Sequence, residues 1–391
     1  MIVDSITDYL RKCGHEVLIF YGIGAKSDDG YKFCYRYEQA LYRRFAMLTG
    51  RRYSFAPLST ARLIHRIKKF HPDVVHLHSI NGNCLNIIHL LTWLKENHYP
   101  TIITNHAEFF YTGNCTSAYG CSLYRSGCTN CPQLKWATDS ALVNKTHREW
   151  LKMKNAYSNA HAFYMASVSE YTRVRAEQSP LVRNLKHFTV LNGIDTTLFR
   201  PSSSVDMRKE LGINNHKKII LFVTSEFSPS KEHLKGGYYL LQLAKSSWGN
   251  QYQFVVVGNE STPSCDYDDN VIFAGRITER TTLACYYSQA DLVLSLSKAE
   301  TFGMTCAEAM CCGTPVAGFK SGGPESISIK EYSKFVEYGD LDGLQHAVDE
   351  VLSIGQGKKQ DISQRAGKIY ALEHMSEQYL NLYNQILKEE V

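Results

Sequence analysis

The sequence predicts an α/β protein built from two doubly wound domains that face each other across a cleft. Three observations lead there. Strand-like apolar runs alternate with helical stretches, and the alternation restarts near the middle of the chain. The length, 391 residues, exceeds what one compact core holds and suits two.

The first series of buried strands reads as HEVLIF (15–20), DVVHL (73–77), TIIT (101–104) and FTVL (188–191). Helical spacing lies between them, for example over Leu58–Phe70 and Cys84–Glu96. The second series is KKIILFV (217–223), YQFVVVG (252–258), NVIFAG (270–275) and DLVLSL (291–296). Strand–helix alternation implies parallel sheets covered on both faces. The first domain is expected over 1–195 and the second over 196–365, with a polar, serine-rich linker inside 200–216. Residues 366–391 form one helical pattern, expected to pack back toward the first domain. Open sheets of this kind take ligands at the carboxyl ends of their strands, so a cleft between the domains is the expected active site.

Composition is ordinary for a globular protein, with 44% apolar and 21% charged residues. No apolar run reaches the length of a membrane span. Asp4, Asp8, Arg11, Lys12 and Glu16 stand where a secretory signal would be apolar, so the expected location is the cytoplasm, at the inner face of the membrane. Charge is uneven. Residues 1–195 hold 24 Lys and Arg against 14 Asp and Glu, net +10, while 196–391 hold 19 against 24, net −5, together the +5 of the chain. A basic half calls for an anionic partner or is simply a solvated surface.

The sharpest local pattern is SLSKAETFGMTCAEAMCCGTPVAG (295–318). A strand leads through a short loop into a helix from about Gly303, ended by Gly313 and Pro315. The first N–H groups of such a helix lack partners within it, and with the positive end of the dipole they make an anion site. Gly303 lets a phosphate approach the backbone closely. Glu300 and Glu308 flank that site. Eight residues of helix rise about 12 Å, well beyond the roughly 5 Å of a retaining glycosidase pair. The spacing suits two ends of an extended ligand with its phosphates between.

ETFGMTCAEAMCCGTPV resembles the E-x7-E signature of glycosyltransferase family 4, which has the GT-B fold of two Rossmann-like domains. NGIDTTLF (192–199) and YYSQADLVLSLSKAETFG (286–303) resemble the same family. PDVVHLHSINGNCLNI (72–87), TNHAEFFYTGNC (104–115) and GCTNCPQL (127–134) look like its branch for bacterial surface polysaccharides of the colanic-acid type. The resemblance implies a retaining, metal-independent transfer of a hexosyl group from a UDP- or GDP-sugar to a glycan or lipid-linked acceptor in polysaccharide synthesis, with no cofactor for catalysis. By it, Glu308 would bind the donor's ribose and Glu300 its sugar. Thr301, Phe302, Gly303 and Met304 would offer backbone to the diphosphate. Lys235 would neutralise a phosphate. An Arg that the family usually places before it is replaced here by Ser225, Glu226 and Phe227, which leaves Lys231 as the substitute. His106, two residues past TIIT, would contact the reacting sugar, although Ala107 stands where the family usually has Asp.

Three further features call for a reading. Cys115, Cys121, Cys128 and Cys131 are spaced as ligands of a structural zinc, with free thiols or one disulfide as the alternative. Lys32–Tyr53 interleaves arginines with aromatics, as at an anionic membrane interface, in a base-stacking surface, or on a helix packing its aromatics inward. Of these partners, a membrane surface is expected and nucleic acid is not. Finally, MIVDSITDYLRKCGHEVLIF reads as a helix and then a strand, where the family begins with a strand and a glycine-rich loop. This predicts a first sheet lacking its first strand. A rival follows: a nucleotide-sugar-binding protein inactive through loss of that loop. A metal-dependent transferase using Asp266 and Asp268 is the other rival.

Overall fold

The computed structural model describes residues 2–24, 30–140, 142–213, 216–260 and 268–389. The chain divides into two compact units, one made of Val3–Val190 with Ser376–Val391 and the other of Leu191–Met375. Both are α/β with parallel sheets.

In the first unit β1 (Ile19–Tyr21) and β2 (Gly30–Lys32) form a short parallel ladder. β3 (Val75–His78), β4 (Thr101–Asn105), β5 (Phe163–Ser167) and β6 (Lys186–Thr189) form a four-stranded parallel sheet in that order. β4 and β5 are buried at every position, which is why they read as continuous apolar runs rather than alternations. HEVLIF yields strand only from Ile19, because Gly14, at φ +88°, ends the preceding helix and Arg11 caps Val17 O at 3.0 Å. The helix α1 (Arg36–Thr49) lies between the ladder and the sheet in sequence.

The second unit holds β7 (Lys218–Phe227), β8 (Tyr252–Glu260), β9 (Val271–Gly275), β10 (Leu292–Ser295), β11 (Val316–Phe319) and β12 (Ser333–Val336). Their spatial order is β12-β11-β10-β7-β8-β9, all parallel. This is a doubly wound sheet whose strand order reverses between β7 and β10. Three helices matter for the site: α2 (Gly237–Lys245), α3 (Arg280–Gln289) and α4 (Met304–Cys311). The last, α5 (Leu372–Glu389), contributes everything from Ser376 onward to the first unit. No helix among the described residues is long and apolar enough to cross a membrane.

Candidate functional site

The strand-order reversal is where such a sheet leaves a crevice for ligand. β7 runs into a loop that ends at Lys235 and Gly236, and β10 into a loop that ends at Gly303. The two loops are tied together, with Lys298 N–H donating to Leu234 O at 2.8 Å. Gly236, at φ +79°, caps α2, and a Cβ there would stand 2.2 Å from Leu296 O. Gly303, at φ +95°, caps α4, and its Cβ would stand 2.8 Å from Pro324. Both positions require glycine by conformation and by space.

Neither helix has a side-chain cap. The N–H groups at the start of α4 therefore remain for an anion, and Cys306 is the first to find an intrahelical partner, Gly303 O at 3.0 Å. Of the expected backbone contributors, Phe302 and Gly303 are buried, and Thr301 and Met304 half-buried. Lys235 Nζ lies 2.6 Å from Glu300 Oε1, an ion pair joining the ends of adjacent strands. Glu300 is fixed from its backbone as well: its N–H donates to Ser321 O at 3.0 Å and its carbonyl accepts from Gly323 N–H at 2.8 Å. Lys231 is exposed, with its ammonium 5.9 Å from the centre of the Tyr238 ring.

Glu308 stands one turn into α4 in a different setting. Tyr287 Oη donates to its Oε2 at 3.2 Å. Burial pushes its carboxyl up to about 7, against the opposing influence of Tyr287 and of the nearby Arg280 guanidinium. Arg280, at the start of α3, stacks over Phe199 at 5.1 Å. Sequence reasoning named Glu308 as a candidate and did not name the two side chains beside it, Tyr287 and Arg280. The signal for Tyr287 lay in YYSQADLVLSLSKAETFG, quoted only for its likeness.

In the first unit His106 follows β4, as expected, and is half-buried. Its Nε2 is 2.9 Å from His78 Nδ1. His76 lies tilted against His78, ring centres 3.9 Å apart, and is hydrogen-bonded through Nδ1 to Tyr383 at 2.6 Å and through Nε2 to Thr104 at 2.7 Å. Thr104 in turn meets Tyr379 at 3.0 Å. Burial lowers all three histidines, His106 to about 4 and His76 to about 3, with the neighbouring rings adding to the effect on His76 and His78. The rings are neutral at physiological pH. Glu108, in the same loop, is buried and bonded to Arg175 at 2.6 Å and to Tyr111, an internal structural role.

Cys115, Cys121, Cys128 and Cys131 line one small cavity with Leu123, Tyr124 and Pro132. The Cys128 sulfur feels the other three electrostatically, Cys115 feels Cys121 and Cys131, and Cys131 feels Cys121. Burial pushes the Cys115 and Cys128 thiols up to about 12 and raises Cys131. Gln133 donates its backbone N–H to Cys131 and its side chain to Cys115 Sγ at 3.4 Å. Among the described residues no three His, Cys, Asp or Glu side chains form a group at metal-ligand spacing. Of the rival acidic pair, Asp266 lies outside the described residues. Asp268 accepts Val271 N–H on its backbone carbonyl at 2.8 Å.

Two family descriptions match the chain, Glycosyltransferase Family 4 over residues 1–198 and Glycosyl transferases group 1 over residues 204–369. An N-acetyl-alpha-D-glucosaminyl L-malate synthase from Bacillus anthracis is 26% identical over 218 residues, 52% of this chain and 54% of that protein. The chain thus spans about half the length of the curated relatives it matches. Among solved structures, the sucrose-phosphate synthase of Thermosynechococcus elongatus is similar with a TM-score of 0.66 at 18% identity, covering 99% of this chain and 93% of that one. HepE of Anabaena, solved in complex with UDP-glucose, gives a TM-score of 0.57 at 17% identity, covering 84% and 82%. At these identities the likeness concerns the fold, which is GT-B.

Proposed function

The chain belongs to glycosyltransferase family 4, and we propose that it transfers a hexosyl group from a UDP- or GDP-sugar to a glycan or lipid-linked acceptor, with retention and without a metal ion. The observation that carries this reading is the crevice at the strand-order reversal of the second unit. There Lys235 meets Glu300 beside the glycine-capped start of α4, and Glu308 lies one turn further along that helix, an arrangement that supports the binding of a nucleotide-diphosphate sugar. Lys235 and the N–H groups of α4 bind the diphosphate and stabilise it as it leaves. Glu308 accepts from the ribose and Glu300 from the sugar. The sugar's anomeric carbon loses its bond to the diphosphate oxygen and gains one to the acceptor oxygen. The acceptor's proton passes to the departing diphosphate on the same face, which needs no protein nucleophile. His106, neutral in the structure, hydrogen-bonds the sugar during transfer. Lys231 adds a second phosphate contact when it leaves Tyr238. Bacterial surface polysaccharide is the process that the sequence motifs favour.

The test is a panel of nucleotide sugars screened by thermal shift, followed by hydrolysis and transfer assays with the stabilising donor. Transfer with retained configuration in the presence of a chelator is the expected result. Donor binding without hydrolysis or transfer to any glycan or lipid-linked acceptor would overturn the enzyme reading and leave a binding protein.

The four-cysteine cavity carries a separate proposal, a structural zinc. Four thiols on one loop and an N–H group aimed at a sulfur form a suitable donor set. The sulfurs must close on the ion to bind it. Four thiolates would leave no open position for catalysis.

A further inference from the structure

The outward face of α1 has an unusual composition. Tyr37, Leu41, Phe45 and Leu48 follow one another at helical spacing and are 60%, 47%, 39% and 72% exposed. Met47 flanks them at 53%. Leu58, beside the helix, is 55% exposed. Large exposed apolar side chains are sparse over the rest of the described chain, whereas eight of them fall between Ile23 and Leu58. A patch of this kind marks a surface with a partner.

Three observations say what the partner is. The face is positively charged without compensation from its own helix. Arg36, Arg43 and Arg44 are exposed along it. The helix's one acid, Glu38, is turned inward, only 2% exposed, and accepts from the N–H groups of Leu58 at 3.0 Å and Ser59 at 2.6 Å. The helix is therefore fastened to the unit through Glu38 and the fully buried Ala46, and its leucines are not used for packing. Of the inward-packing aromatics that the sequence allowed, the half-buried Tyr42 fits, stacked on Phe55 at 5.5 Å. Phe45 borders that pair, 5.8 Å from Tyr42 and 5.9 Å from Phe55, yet stays exposed, and Tyr37 stacks on Tyr35 at 5.5 Å with most of its surface outside. Finally, arginines of the next helix lie over tyrosine faces on the same stretch, Arg62 over Tyr35 at 5.1 Å and Arg66 over Tyr31 at 5.2 Å. Tyrosine and arginine together suit the depth where acyl chains meet headgroups.

We propose that this face of α1 docks on an anionic bilayer surface, with Leu41, Phe45 and Leu48 entering the acyl boundary and Arg36, Arg43 and Arg44 meeting lipid phosphates. A bilayer offers an apolar interior and a negative border in one plane, as the stripe and its basic flank require. The inference does not depend on donor chemistry.

Sedimentation of the full chain with vesicles of phosphatidylcholine, alone or mixed with phosphatidylglycerol, tests it. The chain should pellet with the mixed vesicles, and the bound fraction should fall several-fold as salt rises. Arg43→Glu with Arg44→Glu should abolish binding. Leu41→Ser with Leu48→Ser should weaken it about tenfold at every salt concentration while leaving the melting temperature and nucleotide-sugar binding unchanged, since both leucines are exposed. Equal binding to neutral and mixed vesicles would overturn the proposal. So would binding that survives both double variants, or no vesicle binding with concentration-dependent self-association, which would assign the stripe to a second copy of the chain.

Discussion

Lys235 and Glu300 stand 65 residues apart in sequence, and their side chains meet at 2.6 Å. Each was expected to grip a different part of the donor. In the structure they hold each other; under the proposed function a diphosphate in the crevice would compete for the ammonium and free the carboxylate for the sugar. Both side chains are about a third exposed, so the pair contributes little to stability.

Lys235→Ala should therefore weaken nucleotide-sugar binding by about 1.5–3 kcal/mol, the range for a hydrogen bond to a charged group, and leave the melting temperature nearly unchanged. Glu300→Gln should reduce turnover more than affinity. Calorimetry and steady-state kinetics on both variants separate the two effects. Equal loss of affinity in each would mean that the pair acts as one phosphate-binding unit.

Glu308 sets a pH dependence. Its carboxyl titrates near 7 in the folded protein, above the ordinary 4.5. The folded state keeps a proton that the unfolded chain has lost, so this contribution to stability is present below 4.5 and is lost as pH rises through about 7. Ligand binding runs the other way, because ribose hydroxyls donate best to the ionised form. Affinity for a nucleotide sugar, whose diphosphate keeps its charge throughout, should rise between about pH 6 and 8. Glu308→Gln should bind about 1–3 kcal/mol more weakly and show a flat profile in pH-resolved calorimetry.

The histidine cluster sets the opposite limit. His76 and His106 titrate at about 3 and 4 in the fold, against 6.5 ordinarily. Their contribution is present above 6.5 and is lost as pH falls through those values. Melting temperature should drop steeply on acidification below about pH 6, and less steeply in His76→Gln. His106→Ala should lower turnover far more than donor affinity. It should also cost some stability, because His78 Nδ1 loses its partner. Near-normal turnover of the folded variant would reject the catalytic role.

Elemental analysis of protein purified without added metal addresses the cysteine cavity. One zinc per chain is expected, with Cys128→Ser and Cys131→Ser reducing it. Four freely titratable thiols and no zinc would defeat the assignment. Chelation should loosen 115–131 without removing donor affinity.

Four of the six described strands in each unit were legible. In the second, β11 and β12 went unread because Val316–Phe319 carries Ala and Gly and Ser333–Val336 carries Ser and Lys, whereas the helix after β10 announces itself by Gly303 and by the apolar run before it. β5 went unread because Phe163–Ser167 is short, carries Ala and Ser, and shows no alternation when buried on both faces. The partners of the expected site residues were hidden for a different reason. His78 lies 28 residues from His106, and Tyr383 lies 307 from His76. Such pairs follow from sheet order and from the return of the chain, which local spacing does not encode.

That return bears on how the protein is made. Tyr379, Leu382 and Ile386 are buried in the unit otherwise built from Val3–Val190, where Tyr383 bonds His76 and Glu389 pairs with Lys186 at 2.8 Å. During synthesis the first unit waits for residues that emerge after the entire second unit has been translated. The second unit is complete at Met375 and can fold first, while the earlier-made half stays unfinished on the ribosome with the histidine-bearing edge of its sheet uncovered. Chaperone engagement of nascent chains should accordingly persist until α5 has emerged, reversing the usual order in which the amino-terminal domain matures first.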